Sequence, residues 1–296
     1  MVEIFGIPVT ALMGQVMLGI VNGAFYAVLS LGLAIIFGIV RVVNFAHGAF
    51  FMMGAFISYL LLQKLGIGYW GAIFLAPLIV GAIGIVVERL LLRRTYGLDP
   101  IYGLLLTFGM VLVIEGGFRV AFGSSGQIYT APPELRGAVN LGFMFMPIYR
   151  LFVIAVSVAI CVATWFVIER TSMGAKLRAA TERPHLTQAF GINVPLLMTL
   201  VYGAGVALAA FAGVLAAPIQ SVSPYMGSEL VIIVFAIVVI GGLGSVSGAA
   251  ITGLMLGVVE GLTKVFYSEA STIIIFLIMA IVLLVRPAGL FGREEG

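Results

Sequence analysis

The chain has 296 residues, 62% of them hydrophobic and 9% charged, which excludes a soluble globule: the apolar content exceeds what a core of this size hides, so lipid must be the solvent for much of it. The net charge of +3 carries no nucleic-acid signal, since its bearers sit beside apolar runs, and the single cysteine, Cys161, excludes an intrachain disulfide or a cysteine-based metal cluster.

Apolar runs follow one another at 12–37, 45–62, 69–87, 101–122, 150–168, 196–218, 229–243, 247–265 and 272–285. Each meets or approaches the ~20 residues that one spanning helix needs. Backbone exposed to hydrocarbon has to satisfy its own amides, so runs this long imply helices and not strands. The predicted fold is therefore an all-α polytopic membrane protein, a single transmembrane domain over 1–296 with eight or nine crossings. The last three runs are short and glycine-rich, which makes one of them a candidate for a re-entrant or broken helix. The first run lacks a basic leader and is followed by many others, so no cleavable signal peptide is expected.

Polar groups inside the runs are few, and each is expected to face the bundle or a watery path. Gln15 and Asn22 lie seven residues apart and so close in angle on the first helix, while Asn44 and His47 mark the junction into the second. At a cytoplasmic helix boundary, His47 reads more simply as a hydrogen-bonding or capping residue than as a titrating one. His185 is the only other histidine, so no histidine-rich metal site is expected. Glu115 and Arg119 stand four apart in the fourth run, and Glu260 and Lys264 repeat the arrangement in the eighth. Each pair can neutralise itself, which favours a structural role over the alternative, a proton relay. Thr107, Tyr202, Gln220, Ser221 and Ser223 are candidates to line a passage, although helix packing uses Thr and Tyr equally well. Gly253, Gly257 and Gly261 share one helical face, as do Gly244 and Gly248, a spacing that serves close helix approach.

Two connections are long. The first, 123–149, contains GSSGQIYTAPPELRG, whose prolines and polar residues favour turns. The second, 169–195, reads ERTSMGAKLRAATERPHLTQAFGINVP and mixes basic residues with Ala179, Ala180, Ala189, Phe190 and Ile192. That mixture suits a short helix docking a partner or one lying on the membrane surface, with Pro184 near a helix start and Gly191 near its end. Nine crossings put Arg41, Arg89, Arg93, Arg94, Arg170, Lys176, Arg178, Arg183, Arg286 and Arg293 on one side, against Lys64, Arg119, Arg136, Arg150 and Lys264 on the other. The more basic side is expected to be cytoplasmic. The N-terminus and the 123–149 loop are then extracytoplasmic; the 169–195 loop and the C-terminus are cytoplasmic. The sequence has no GxxxxGK[ST] and no spaced acid–base or nucleophile constellation, so the chain is not expected to be an enzyme or to hydrolyse ATP itself. Energy for transport would come from an ion gradient or from another protein.

Three stretches carry a family resemblance. GLAIIFGIVRVVNFAHGAFFMMGAF (32–56), SMGAKLRAATERPHLTQAFGI (172–192) and FAIVVIGGLGSVSGAAITGLMLG (235–257) resemble LivH-type permeases of the branched-chain amino-acid ABC transporter family, and the likeness runs along essentially the whole chain. It implies a permease subunit of an ATP-driven importer in a bacterial or archaeal cytoplasmic membrane, moving branched-chain or related amino acids by alternating access. Implied partners are a second related permease subunit, two cytoplasmic ATPase subunits that hold ATP and Mg, and an extracytoplasmic solute-binding protein; no cofactor belongs to this chain. The resemblance assigns Gly174, Lys176, Arg178, Ala179, Ala189, Gly191 and Ile192 to a coupling region seated on the ATPase. Thr181-Glu182-Arg183-Pro184-His185 departs from the family pattern there. Asn44 to Gly48 occupy its early signature and Gly241, Gly242, Gly244, Ser245 and Gly248 its late one. These, with Asn22 and Thr107, are candidates for the passage or for helix packing. Similar permeases carry urea or short amides, so that solute class stands as the alternative, beside a gradient-driven secondary transporter and a membrane scaffold without transport.

Overall fold

The structure is a computed structural model, and it describes residues 3–4, 7–40 and 42–292. Arg41 and Arg293, counted above among the basic residues of the cytoplasmic side, lie outside the described residues. A two-residue hairpin, β1 (Glu3–Ile4) and β2 (Ile7–Pro8), leads into α1 (Val9–Val40). There follow α2 (Ala46–Leu65), α3 (Tyr69–Leu90), α4 (Pro100–Phe122), a hairpin of β3 (Ala138–Asn140) and β4 (Phe145–Pro147), and α5 (Ile148–Arg170). The chain continues through α6 (Ser172–Glu182), α7 (Pro184–Ala189), α8 (Val194–Ala216), α9 (Met226–Gly241), α10 (Val246–Phe266) and α11 (Ile273–Val285). Local sequence sets several boundaries. Asp99, Asn193 and Ser245 cap α4, α8 and α10 by accepting from Ile101 N (2.9 Å), Leu196 N (3.0 Å) and Gly248 N (3.1 Å).

The protein is an all-α polytopic membrane protein. Among the described residues, seven helices are long and apolar enough to cross a bilayer: α1 to α5, α8 and α10. The shorter α9 and α11, with 16 and 13 residues, extend about 24 and 20 Å at 1.5 Å per residue. Contacts show how these helices alternate. Gly14 at the start of α1 faces Met144 in the loop after α4, and that loop bridges Gln127 to Val222 between α8 and α9. These groups define one end of the bundle, called outer below. At the inner end, Gly38 near the end of α1 meets Gly244 in the α9–α10 turn, and the segment after α11 hydrogen-bonds back through Leu290 N to Ile240 O (2.8 Å). Each of the last three helices is continuous. Two of them are short, and the interruption in the bundle lies early, between α1 and α2.

The core is built around α1. A Cβ added to Gly19 would stand 2.6 Å from Gly257 O, one added to Gly23 would stand 2.8 Å from Leu254 O, and one added to Gly253 would stand 2.7 Å from Ala27 N. The backbones of α1 and α10 thus touch along an antiparallel seam, as small residues allow between helices that have no hydrophobic drive between them in lipid. On another face, α1 meets α8 at Gly32 and Gly205, while α2 meets α8 at Gly54 and Gly213. By contrast, α4 and α5 lie at the periphery with mostly exposed apolar side chains, among them Leu112, Val113, Val162 and Phe166. Tyr69, Trp70, Tyr149 and Phe152 cluster edge-to-face near the outer ends of α3 and α5, the position where aromatic residues anchor a membrane interface.

Candidate functional site

The break between α1 and α2 is buried. The His47 ring nitrogen Nε2 lies 2.9 Å from Leu29 O and donates to it, yet α1 continues eleven residues past Leu29, about 16 Å along its axis. Residues 42–45 therefore run back beside the last turns of α1, and α2 starts inside the bundle. His47 thus hydrogen-bonds inside the bundle, deeper than the cytoplasmic helix boundary where the sequence placed it. It is fully buried against α1, in space that Gly32 leaves open: a Cβ there would stand 3.1 Å from His47 Cε1.

Backbone released from helical pairing at such depth needs other partners. Thr107 of α4 supplies them: its hydroxyl accepts from Phe45 N (3.3 Å) and lies within donating distance of Val43 O (3.2 Å) and Leu104 O (3.1 Å). Asn44 donates from Nδ2 to the Tyr202 hydroxyl of α8 (3.1 Å). Asn44 Oδ1 and His47 Nδ1 remain buried without a partner among the described residues. Asn44, His47, Thr107 and Tyr202, singled out one by one in the sequence, come together here from three different parts of the chain.

Directly beneath lies a residue that the sequence did not suggest. Glu88 at the end of α3 is fully buried, and its Oε2 accepts from Thr199 of α8 at 2.7 Å. Burial, and then the Glu88 carboxylate, push the Tyr96 hydroxyl well above the ordinary tyrosine range, keeping it neutral. Below Glu88 an open cleft of about 310 Å³ is lined by Arg89, Arg93, Asn193 and Thr199. Glu88 sits one residue beyond the apolar run 69–87 and beside Arg89, Arg93 and Arg94, so the run's boundary excluded it from the polar groups considered within the spans. An acid between Val87 and the Arg89 to Arg94 cluster was the available signal.

At the outer end, Gln15 and Asn22 of α1 both face a cavity of about 330 Å³, together with Arg150 of α5, Lys264 of α10, Gly19 and Gly261. Their seven-residue spacing does put them on one face. Beside the cavity, Glu260 receives Lys264 Nζ on Oε1 (2.5 Å) and the Tyr26 hydroxyl on Oε2 (2.7 Å). That pair neutralises itself. Glu115 and Arg119 make no ion pair, and Glu115 Oε1 is buried without a partner among the described residues, so the expected pairing there is corrected.

The late glycines occupy the inner turn between α9 and α10. Gly242 and Gly244 take positive φ (98° and 84°), and Ser245 caps α10. Gly241 and Gly248 place their backbones together, and Gly242 lies against Phe291 and Gly292. Asn22, the early signature and the late signature thus fall in three places, and the late one is given packing and capping partners.

The 169–195 segment forms two helices. In α6, Gly174, Leu177 and Ala180 turn inward at three-residue spacing, with Gly174 against Ile168 O, while Lys176, Arg178 and Ala179 face out. Pro184 opens α7, and Gly191 (φ 82°) follows it. Thr187 joins the two helices, its hydroxyl 2.9 Å from both Ala179 O and Arg183 O. Met173, Leu186, Ala189 and Phe190 are exposed, Phe190 to 79%, and Ile192 is half-buried.

A bundle of long apolar helices with a buried interruption and an exposed two-helix projection at one end belongs to the class of polytopic membrane proteins. Residues 15–283 match the family described as "Branched-chain amino acid transport system / permease component", and the chain belongs to that family. It is 30% identical over 299 residues to the high-affinity branched-chain amino acid transport system permease protein LivH of Salmonella typhimurium, covering 95% of this chain and 96% of that one. It is 29% identical to the permease protein BraD of Pseudomonas aeruginosa, with the same coverage. The permease protein LivM of Salmonella typhimurium aligns at 27% over 90% of this chain and 67% of its own length.

Proposed function

We propose that this chain is one of two related permease subunits in an ATP-driven importer of branched-chain or similar aliphatic amino acids. The end-to-end match to a family of permease components carries the reading. Similarity to both LivH and LivM supports a paired arrangement of two such subunits. The basic excess of the inner end supports a cytoplasmic α6–α7, with the N-terminus and the 123–149 loop outside. Two cytoplasmic ATPase subunits, holding ATP and Mg, would seat α6 and α7, and an extracytoplasmic binding protein would deliver solute to the opposite end.

The mechanism is alternating access. Closure of the ATPase pair pushes on α6 and α7 through their exposed side chains, of which Phe190 is the most exposed large hydrophobic one. Thr187 locks the two helices together, so the push reaches α5 and α8 as one displacement. The Asn44–Tyr202 and Thr199–Glu88 hydrogen bonds lie on the inner half of α8, where that displacement arrives.

The test is reconstitution with the partner subunits in proteoliposomes. Phe190→Asp should leave membrane insertion intact and reduce ATP-driven uptake at least tenfold, since an anchor in a protein interface contributes about 2 kcal/mol or more. Undiminished uptake would remove the coupling role of α6 and α7. Solute accumulation by the purified chain alone, driven by a proton or sodium gradient, would overturn the ATP-driven reading.

A further inference from the structure

We propose that the outer cavity is a receiving subsite for the carboxylate of an aliphatic amino acid, with Arg150 as the residue that binds it; the proposal rests on the importer reading above. The cavity holds about 330 Å³, within the ~300–1,000 Å³ range of small-molecule sites and enough for one solute of that size. Its polar groups converge only in the folded chain: Gln15 and Asn22 from α1, Arg150 from the first turn of α5, and Lys264 from the last turn of α10.

The charge balance selects the ligand. Two cations line the space, while Glu260 at its edge has one oxygen on Lys264 and the other on Tyr26. The Lys264 ammonium is thereby fixed in place and already paired. Arg150 makes no ion pair with the described carboxylates, and its planar fork of donors matches a carboxylate in two parallel hydrogen bonds. Among the described residues, Arg150 and Lys264 against Glu260 leave a net positive charge at the cavity. It attracts an anionic group, whereas urea or a short amide brings no charge to meet it.

The remaining wall suits the rest of such a molecule. Leu18, Val21 and Ile219 add apolar surface to the lining, a place for an aliphatic side chain. The Gln15 and Asn22 amides offer acceptors for an ammonium group as well as donors. Gly19 and Gly261 bring the backbones of α1 and α10 together where they line the cavity: a Cβ on Gly261 would stand 2.9 Å from Gly19 Cα. Position agrees with the role, because this end carries the loop that a solute-delivering partner would meet.

The experiment uses the complete transporter in proteoliposomes with radiolabelled leucine, together with equilibrium binding to the complex without its binding protein. Arg150→Gln should lower leucine uptake by roughly tenfold to a hundredfold, the loss expected for a charged hydrogen bond, and Arg150→Lys should recover most of it. In the binding measurement unlabelled leucine should displace the label, while leucinamide, which has the same side chain but no carboxylate, and urea should not. Unchanged uptake by Arg150→Gln, or equal displacement by leucinamide, overturns the subsite and leaves the importer reading standing. Wild-type complex without ATP-dependent uptake of leucine, urea or amides overturns both. Should Arg150→Gln fail to insert, the leucinamide competition on the wild type decides the matter.

Discussion

Two sets of glycines in this chain do opposite things. On α1 and α10, Gly19, Gly23, Gly253 and Gly257 each have foreign backbone so close that a methyl group does not fit. On α4, Gly109, Gly116 and Gly117 have nothing within 4 Å of where a Cβ would be. The first set removes side chains so that two helices can touch, and the second leaves a smooth outward strip on a peripheral helix. The molecule therefore divides into a tightly seamed interior of α1, α2, α8 and α10 and a loosely held rim that includes α4 and α5. Glycine content by itself does not tell the two apart; the neighbour does.

Substitutions break or sharpen this division. The largest effect is expected for Gly257→Leu, which drives a side chain into the backbone of Gly23. Overpacking of this kind destabilises by about 3 kcal/mol or more, to be seen as a lowered unfolding midpoint or as aggregation during purification in detergent. Thr199→Val comes next, since it leaves a carboxylate oxygen of the buried Glu88 without its donor, a loss of about 1–3 kcal/mol. Thr107→Val should cost about 1 kcal/mol, detected as faster hydrogen exchange at Phe45, whose amide loses its acceptor; unchanged exchange would mean that the break between α1 and α2 is held by something other than α4. The smallest effect belongs to Gly116→Leu on α4, within about 0.5 kcal/mol of the parent. If Gly116→Leu proved as damaging as Gly257→Leu, the rim would be packed against something as close as the seam, and the division would fail.

Much of this fold was legible in the sequence because lipid makes unusually simple demands. Long apolar runs have to be helices, so the nine runs map onto nine helices, with boundaries a few residues longer where capping residues such as Asp99 and Asn193 extend them. The face shared by Gly253, Gly257 and Gly261 follows from helical geometry and appears in the structure as the seam. Depth was not legible. Hydropathy gives the length of α1 but not that the chain doubles back through residues 42–45, so His47 read as a hydrogen-bonding residue at a helix boundary and not as one deep in the bundle. Pairing was equally hidden: the four-residue spacing allowed Glu115 and Arg119 to meet on α4, yet they make no ion pair, while Glu260 and Lys264 at the same spacing do. Glu88 escaped because a charge at the end of an apolar run looks the same whether it meets water or is capped by Thr199 from a helix more than a hundred residues away.

The seam between α1 and α10 also constrains how the protein is made. Gly19 and Gly257 touch in the finished structure but are 238 residues apart in the chain, and at a synthesis rate of about 5–20 residues per second α1 waits roughly 10 to 50 s for its partner to emerge. During that interval the glycine face of α1 has no α10 to pack against. Assembly of the earliest element is thus completed by almost the last one translated, and a nascent chain truncated before α10 would leave the membrane holding a helix without its mate.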